Sequence, residues 1–301
     1  MLQQDIRQAV RWLRGNPGFS AAALIVLALG IGAATATFTV VHAVLLRPLP
    51  FHAPERVVRI WSSPAGRDLP FFSVSAPDVE DWRARAATLA RVGPYDRQAP
   101  FTLAGRDGVQ EIIGAKTSRE LFEVLGVQPA IGRWFSEAED RPASGARVVV
   151  IGHGAWQRRL GGRKDVIGQP LRLDEESWTV IGVMPPGFAI PNNPAEIWLP
   201  LQLTVDPAKR DERRLRVLAR LRDGTDVEQA TAELTRIAAD LDREHPKTNR
   251  AWTVTVRPLT ETVVGETFRR ALLIIAGGVA LVLLIACANV AGLLLSRATM
   301  R

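Results

Sequence analysis

The sequence predicts an α+β extracytoplasmic domain flanked by two transmembrane helices. The helices are predicted by residues 19–46 and 271–296, which contain no Asp, Glu, Lys or Arg over 28 and 26 residues. About 20 apolar residues suffice to cross a hydrocarbon core of about 30 Å. The domain is predicted by the intervening sequence, where strand-like runs alternate with helices that have recognisable N-terminal caps. We assign 19–46 and 269–296 to the membrane helices and 47–268 to the domain.

The charge distribution supports this division. The chain of 301 residues has 38 Lys+Arg against 31 Asp+Glu, which gives a formal net charge of +7. Eight basic residues and one acidic residue lie outside 48–268, so this range keeps 30 of each sign. The excess therefore flanks the apolar stretches and does not form a basic groove, which argues against nucleic acid as a partner.

The arginines also predict the orientation. Arg7, Arg11 and Arg14 precede the first apolar stretch, and Arg297 and Arg301 follow the second. Basic residues close to membrane helices favour the cytoplasmic side, and two crossings return the chain to the side where it began. We therefore expect a cell (inner) membrane protein with a cytoplasmic N-terminus and a periplasmic or otherwise extracytoplasmic domain. Residues 297–301 would begin a cytoplasmic segment of a truncated chain.

A cleaved secretory signal is the alternative interpretation of the first stretch, because Ala34-Thr35-Ala36 resembles a cleavage site. The apolar region of a signal is about 7 to 15 residues long, however, and this one is much longer. We favour a retained helix that crosses the membrane over 20–41. A helical extension would follow outside the bilayer, since the second half of the stretch contains threonines and a histidine.

Residues 1–18 predict an amphipathic helix on the cytoplasmic membrane surface. Leu2, Ile6 and Leu13 recur at helical spacing, and Gly15 and Pro17 then interrupt the pattern. The interfacial and topology-determining side chains would be Arg7, Arg11, Trp12, Arg14 and, after the second helix, Arg297. A solvated leader with accidental periodicity is the alternative.

The domain has a mixed pattern of strands and helices. Strand-like runs lie at 57–61, 111–115, 148–151, 178–183, 215–221 and 252–257. Ser75 and Asp78 predict the start of one helix, and Thr225 and Glu228 form a capping-box pattern before another that ends near Glu244. Loop-rich segments suggest that a β-rich insertion, roughly 100–184, interrupts an α/β unit containing the helices at 77–88 and 226–244.

The residues give no indication of catalysis. The four histidines are scattered, a single Cys287 lies in the second apolar stretch, and neither H-E-x-x-H, G-x-S-x-G nor Walker A occurs. Gly152-His153-Gly154 favours an ordinary strand-to-helix turn, since the third glycine of a phosphate loop is missing. We expect no catalytic, cofactor-binding or metal-binding residues and no enzymatic activity in this chain.

Small residues predict helix packing in the membrane. Ala28, Gly32 and Ala36 repeat at every fourth position of the first helix, and Ala288 and Gly292 do so in the second. Such spacing permits close approach of helix backbones. Asn289 is a strongly polar side chain within the second helix, so we expect it to face a helix interface and not lipid.

Ten motifs of the sequence follow one another in the order in which a known family has them. They lie at 5–9, 13–19, 27–33, 44–50, 77–82, 121–127, 132–135, 153–156, 182–188 and 286–293. On these motifs the sequence resembles the MacB/FtsX-like ABC transporter permeases, in particular the duplicated orphan permeases with a MacB-like periplasmic core domain.

The resemblance implies a mechanical role. A separate cytoplasmic ABC ATPase would bind and hydrolyse ATP, and the membrane helices would pass the motion to the periplasmic domain for export, such as efflux, or other extracytoplasmic work. Partners would be other permease helices, in a dimer or pseudo-dimer, membrane lipid and a periplasmic protein. The family's permease unit has four membrane helices, so we expect an amino-terminal fragment. A membrane-anchored periplasmic binding or assembly module without ATPase coupling is the alternative, and an anchored enzyme a more distant one.

Overall fold

The computed structural model describes residues 17–42, 49–66, 71–105, 108–263 and 265–298. The chain divides into two units. The described parts of the first are a helix at each end, and the second comprises Leu49–Val263. The predicted interfacial helix at 1–18 lies almost entirely outside the described residues.

The helices in chain order are α1 (Pro17–Val41), α2 (Ala76–Arg85), α3 (Arg119–Leu125), α4 (Glu137–Asp140), α5 (His153–Leu160), α6 (Val227–Glu244), α7 (Leu259–Val263) and α8 (Glu266–Ala298). The strands are β1 (Val57–Pro64), β2 (Val74–Ser75), β3 (Leu89–Tyr95), β4 (Ala99–Gly105), β5 (Gly108–Thr117), β6 (Ile131–Gly132), β7 (Val148–Ile151), β8 (Pro170–Leu173), β9 (Glu176–Val183), β10 (Ile197–Pro200), β11 (Arg213–Leu221) and β12 (Trp252–Pro258). A 3-10 turn (Pro54–Arg56) precedes β1. The predicted fold class is confirmed: the second unit is a mixed α/β domain between two apolar helices.

Both terminal helices are long and apolar enough to cross a membrane. Leu24–Val41 covers 18 residues of α1, and Phe268–Asn289 covers 22 residues of α8. Their large apolar side chains are mostly exposed, for example Leu29 and Ile274 at 69% and 75%. Since a soluble helix buries such a surface against a core, this exposure is what contact with lipid would require.

The first part of the domain is a four-stranded antiparallel sheet in the order β3-β11-β1-β12. Helices α2 and α6 cover one face of this sheet. In chain order the elements are β1, α2, β3, β11, α6 and β12, which is the βαββαβ arrangement. Val58 and Ile60 of β1 pack with Leu234 and Ile237 of α6 in the hydrophobic cluster beneath the helices. Because successive side chains of a strand point to opposite faces of the sheet, Arg59 and Trp61 of β1 project to the face opposite Val58 and Ile60.

The second part of the domain, β4 to β10, is inserted between β3 and β11. Six of its strands form a closed ring in which β5 is followed by β4, β8, β9, β7 and β10, and β10 pairs with β5 again. Leu103, Ile112, Val149, Leu171 and Val180 fill its interior. The ring meets the four-stranded sheet through one pairing between Tyr95 of β3 and Thr117 of β5.

A third hydrophobic cluster lies between the ring and the face of the sheet opposite α2 and α6. Helix α3 contributes Leu121 and Phe122, and the ring contributes Trp198. Gly93 of β3 allows α3 to approach, because a Cβ at this position would lie 2.5 Å from the Cα of Leu121. This distance is too short for any side chain.

The helix starts agree with the sequence in one case and differ in another. Ser75 accepts a hydrogen bond from the amide of Asp78 at the start of α2, as predicted. The capping box of α6, however, is formed by Asp226 and Gln229, each one residue later than predicted. Asp226 accepts the amide hydrogen of Gln229 at 2.7 Å with a carboxylate, which is an equally favoured capping acceptor.

Candidate functional site

The two apolar helices contact each other at a glycine that the sequence analysis did not select. Gly30 of α1 is buried, and a Cβ at this position would lie 3.1 Å from Cδ1 of Leu283 on α8. Leu272 and Ala286 are the buried apolar residues of α8 among its described side chains. The small residue therefore permits close packing of the pair, as in membrane helix interfaces generally.

The predicted packing residues lie away from this contact. Ala28, Gly32 and Ala36 are not buried on α1, and a Cβ on Gly32 would have no atom of the described residues within 4 Å. On α8, Ala288, Asn289 and Gly292 are likewise exposed. They are thus free to meet helices of other chains, and their role in packing stays a prediction.

The predicted interfacial residues are only partly covered by the structure. Arg7, Arg11, Trp12 and Arg14 lie outside the described residues. Arg297 belongs to the last turn of α8, where the backbone alone is described. Their effect on topology therefore stays a prediction from charge.

The domain contains a buried ionic cluster around Asp78, at the start of α2. One carboxylate oxygen accepts from Arg210 at 3.2 Å and from the amide of Asn249 at 2.9 Å, and the other accepts from Arg213 at 2.5 Å. The Arg210 guanidinium also pairs with Asp81 at 2.8 Å. The Arg213 guanidinium stacks over Trp252 with 4.1 Å to the ring centroid.

This cluster joins three separate parts of the domain. Asp78 belongs to α2, Arg213 begins β11, and Asn249 lies in the turn after α6. The sequence analysis identified Asp78 only as a helix-start residue. No local pattern could have found its partners, since Arg210 and Arg213 are 132 and 135 residues away. The charges compensate one another, so the cluster is suited to fixing elements and not to proton transfer.

A second fixed carboxylate lies in the ring part. Glu139 forms a capping box with Ser136 and accepts from both terminal nitrogens of Arg133, at 2.7 and 2.8 Å. The hydrogen bonds from Arg133 lower the pKa of Glu139 from 4.5 to about 2. The neighbouring Asp140 accepts from the amides of Arg119 and Gln202, and its burial raises its pKa above the ordinary value.

Among the described residues, the grooves of the domain carry no recognisable catalytic arrangement. One groove of about 1090 Å³ lies beside β8 and α5. Two of its arginines, Arg158 and Arg159, pair with Glu196, and Arg163 pairs with Asp165. In the part of the chain that the structure describes, no three His, Cys, Asp or Glu side chains come together as a metal site would require. These features define a chain with two apolar helices and a domain whose elements are joined by ionic clusters.

Comparison with known proteins assigns the family. Residues 20–237 match the family described as the MacB-like periplasmic core domain. The chain belongs to this family, which confirms the resemblance to MacB-like permeases found in its motifs. No curated protein matches the sequence.

Solved structures share the fold at low sequence identity. A domain of a Porphyromonas gingivalis protein described as a permease is 16% identical, with a TM-score of 0.51 over 70% of this chain and 93% of that one. The periplasmic region of MacB from Actinobacillus actinomycetemcomitans is 14% identical, with a TM-score of 0.50 over 69% and 90%. The extracellular domain of the noncanonic ABC-type transporter YknZ from Gram-positive bacteria is 15% identical, with a TM-score of 0.49 over 66% and 99%.

Proposed function

We propose that this chain is a membrane permease subunit of an ABC-type transporter. A separate cytoplasmic ATPase would bind and hydrolyse ATP, and the external domain would move with the membrane helices to drive export or other extracytoplasmic work. The observation that carries this proposal is the extent of the family match, which begins at residue 20 within α1 and continues through the domain to residue 237. A single family model therefore covers both the apolar helix α1 and most of the domain that follows it.

The membrane orientation is part of the proposal. The N-terminus and Arg297 would lie in the cytoplasm, and residues 49–263 outside, in the periplasm of a cell with two membranes. The ion-paired Asp78 and Glu139 support a transducing role, because a domain that transmits motion must hold its own elements rigidly. The exposed faces around Gly32 and Asn289 would receive the helices of a second permease copy or a related half.

Coupling to an ATPase is tested by recovery of the partner. The full chain, tagged at its C-terminus, is crosslinked in its native membrane and purified. We expect a protein with a Walker A sequence to co-purify, and its rate of ATP hydrolysis to change when the chain is added back in lipid nanodiscs. Repeated recovery without any ATPase, together with a transport phenotype that survives ATP depletion, would instead identify an anchored assembly module.

Orientation is tested separately by thiol labelling. Cys287 is replaced by Ser, and Ala208, in an exposed loop of the domain, is replaced by Cys. A membrane-impermeant maleimide should label Ala208→Cys in intact spheroplasts. The matched variant Gln4→Cys should react only after lysis. The opposite pattern would contradict the proposed orientation.

A further inference from the structure

One face of the four-stranded sheet carries arginines that have no acidic partner among the described residues. It is the face opposite α2 and α6. Three arginines and three aromatic side chains lie together there, some of them buried, and we call them the arginine-aromatic face: Arg59, Trp61, Phe71, Tyr95, Arg216 and Arg257.

The strand register brings these side chains together. Arg59 of β1 lies opposite Arg257 of β12, and Arg216 of β11 lies opposite Tyr95 of β3. Ile60 pairs with Val217, so Trp61 is adjacent to Arg216 one position further along. Because side chains alternate between the faces of a strand, all these residues project to the same side.

The three arginines find only neutral partners among the described residues. Arg59 is 8% exposed, its Nε has no hydrogen-bond acceptor, and its guanidinium lies 5.1 Å from the ring centroid of Trp61. Arg216 donates weakly to Oε1 of Gln98 at 3.4 Å and to the carbonyl of Asn192 at 3.3 Å. The Arg257 guanidinium lies 5.5 Å from the ring centroid of Phe71.

The arginines around Asp78 on the other face show what is missing here. Those side chains are buried to the same degree as Arg59, and carboxylate oxygens accept their hydrogen bonds. A buried guanidinium without an anion is costly, because desolvation is not offset by attraction to a counter-charge. Among the described residues, no carboxylate compensates the charges of the arginine-aromatic face.

A buried hydroxyl adds a further unused donor. Tyr95 is fully buried, and its hydroxyl has no hydrogen-bond partner of good geometry in the described part of the chain. Burial raises the pKa of Tyr95, and the nearby charges of Arg59 and Arg216, together with a contact from the Arg216 guanidinium to the hydroxyl oxygen, oppose that change. A neutral phenol between two guanidinium groups donates a hydrogen bond and does not supply the missing charge.

The aromatic rim indicates what the anion is attached to. The rings of Trp61 and Phe71 lie 4.8 Å apart, and Phe71 is 52% exposed. Exposed aromatic rings beside arginines offer an apolar surface for a planar or apolar group, while the guanidinium groups match the geometry of oxyanions.

We propose that the arginine-aromatic face binds an organic oxyanion, that is, a carboxylate, sulfate or phosphate group carried on an aromatic or other apolar body. The guanidinium groups of Arg59, Arg216 and Arg257 hold the charged group, and Trp61 and Phe71 contact the body. This inference goes beyond the permease role and does not depend on coupling to an ATPase.

Binding is measured with phenyl phosphate as the probe, by calorimetry on the full chain in lipid nanodiscs, with empty nanodiscs as the blank. We expect saturable binding that weakens about tenfold in Arg59→Gln and again in Arg257→Gln, since each removes a charge-assisted contact. Arg172→Gln, an exposed arginine of β8, makes the same change of charge elsewhere and should bind as the wild type does. Arg257 is itself exposed on the edge strand, so its variant tests the site even if Arg59→Gln fails to fold.

Two further probes separate the parts of the proposal. Inorganic phosphate should bind at least tenfold more weakly than phenyl phosphate because it lacks the apolar body, and phenol should not bind measurably because it lacks the charge. Equal affinities for the two phosphates would overturn the role of the aromatic rim. Equal binding by Arg257→Gln and Arg172→Gln, or absence of any saturable binding, would overturn the site.

Discussion

Arg213 donates a hydrogen bond of 2.5 Å to Asp78, and both side chains are more than nine-tenths buried. The two residues belong to different halves of the βαββαβ unit, which the inserted ring separates in the sequence. Their contact therefore closes the unit around the insertion. It adds to the pairing of β11 with β1 and β3, which already joins the two halves within the sheet.

Removing the carboxylate of this pair should destabilise the domain strongly. Asp78→Ala leaves Arg213 buried without an anion and Arg210 with Asp81 as its remaining partner, so we expect the free energy of unfolding to fall by about 3 to 5 kcal/mol. Urea unfolding of the full chain in detergent micelles, followed by tryptophan fluorescence, measures the change. Asp165→Ala removes the exposed partner of Arg163 and should leave the midpoint nearly unchanged. Similar midpoints for both variants would contradict the structural role of the cluster.

Glu139 should give the domain a pH-dependent contribution to stability. The pKa of Glu139 is about 2 in the folded chain, against an ordinary value of 4.5. Its contribution to stability is therefore complete when the pH is above the ordinary pKa, and it is lost as the pH falls towards the pKa of the folded chain. Glu139→Gln should cost about 1 to 2 kcal/mol at neutral pH. This is less than the full pKa shift implies, because its partner Arg133 is 55% exposed and solvent screens the pair.

Melting temperatures of wild type and Glu139→Gln between pH 7 and pH 3 measure this contribution. The difference should shrink steadily as the pH is lowered below about 5. Glu137→Gln changes a neighbouring carboxylate that is 74% exposed, and it serves as the control. A difference that stays constant over the range would show that Glu139 contributes no pH-linked stability.

The sequence was most informative where structure is local. Strand β7 has the predicted bounds, and the apolar face of α6 is the one that packs on the sheet. Strands β3 and β10 were not predicted, because Gly93 and Pro94 interrupt the first and a Pro-rich loop precedes the second. Both are held in place by the strands beside them, which a local pattern does not contain.

The ionic features could not be predicted for the same reason. Arg59 stands in an alternating run with Val58 and Ile60, and such an arginine is ordinarily read as facing solvent. In the structure this face of the sheet is partly covered, so Arg59 is buried. Only the three-dimensional arrangement distinguishes it from the many arginines that form surface ion pairs.

Two glycines of α1 should respond differently to the same substitution. Gly30→Leu places a large side chain against Leu283 and should weaken the pairing of α1 with α8, by about 1 to 3 kcal/mol as for other overpacked contacts. Gly32→Leu meets no atom of the described chain, so the pair should form normally. It should instead reduce assembly with other helices, if the predicted small-residue face is used for that purpose.

The pairing is measured by the loss of the helical circular dichroism signal of the full chain on heating in micelles, because the exposed Cys287 on α8 does not report on the contact. The loss should begin at a lower temperature in Gly30→Leu than in wild type or Gly32→Leu. Crosslinking in the membrane measures assembly, and there Gly32→Leu should show the larger loss. Identical behaviour of the two variants in both measurements would remove the distinction between the faces.

Reversing the charge before α1 should disturb the membrane topology. With Arg7, Arg11 and Arg14 all replaced by Glu, the N-terminal flank no longer carries the positive charge that favours the cytoplasm. We expect a substantial fraction of molecules to insert with the domain inside, so that Ala208→Cys becomes inaccessible to impermeant maleimide in intact spheroplasts. Replacing three exposed arginines of the domain, Arg97, Arg172 and Arg250, by Glu makes the same change in net charge far from the membrane flanks and should leave labelling unchanged. Full labelling in both triple variants would mean that the large external domain, and not the N-terminal arginines, determines the orientation.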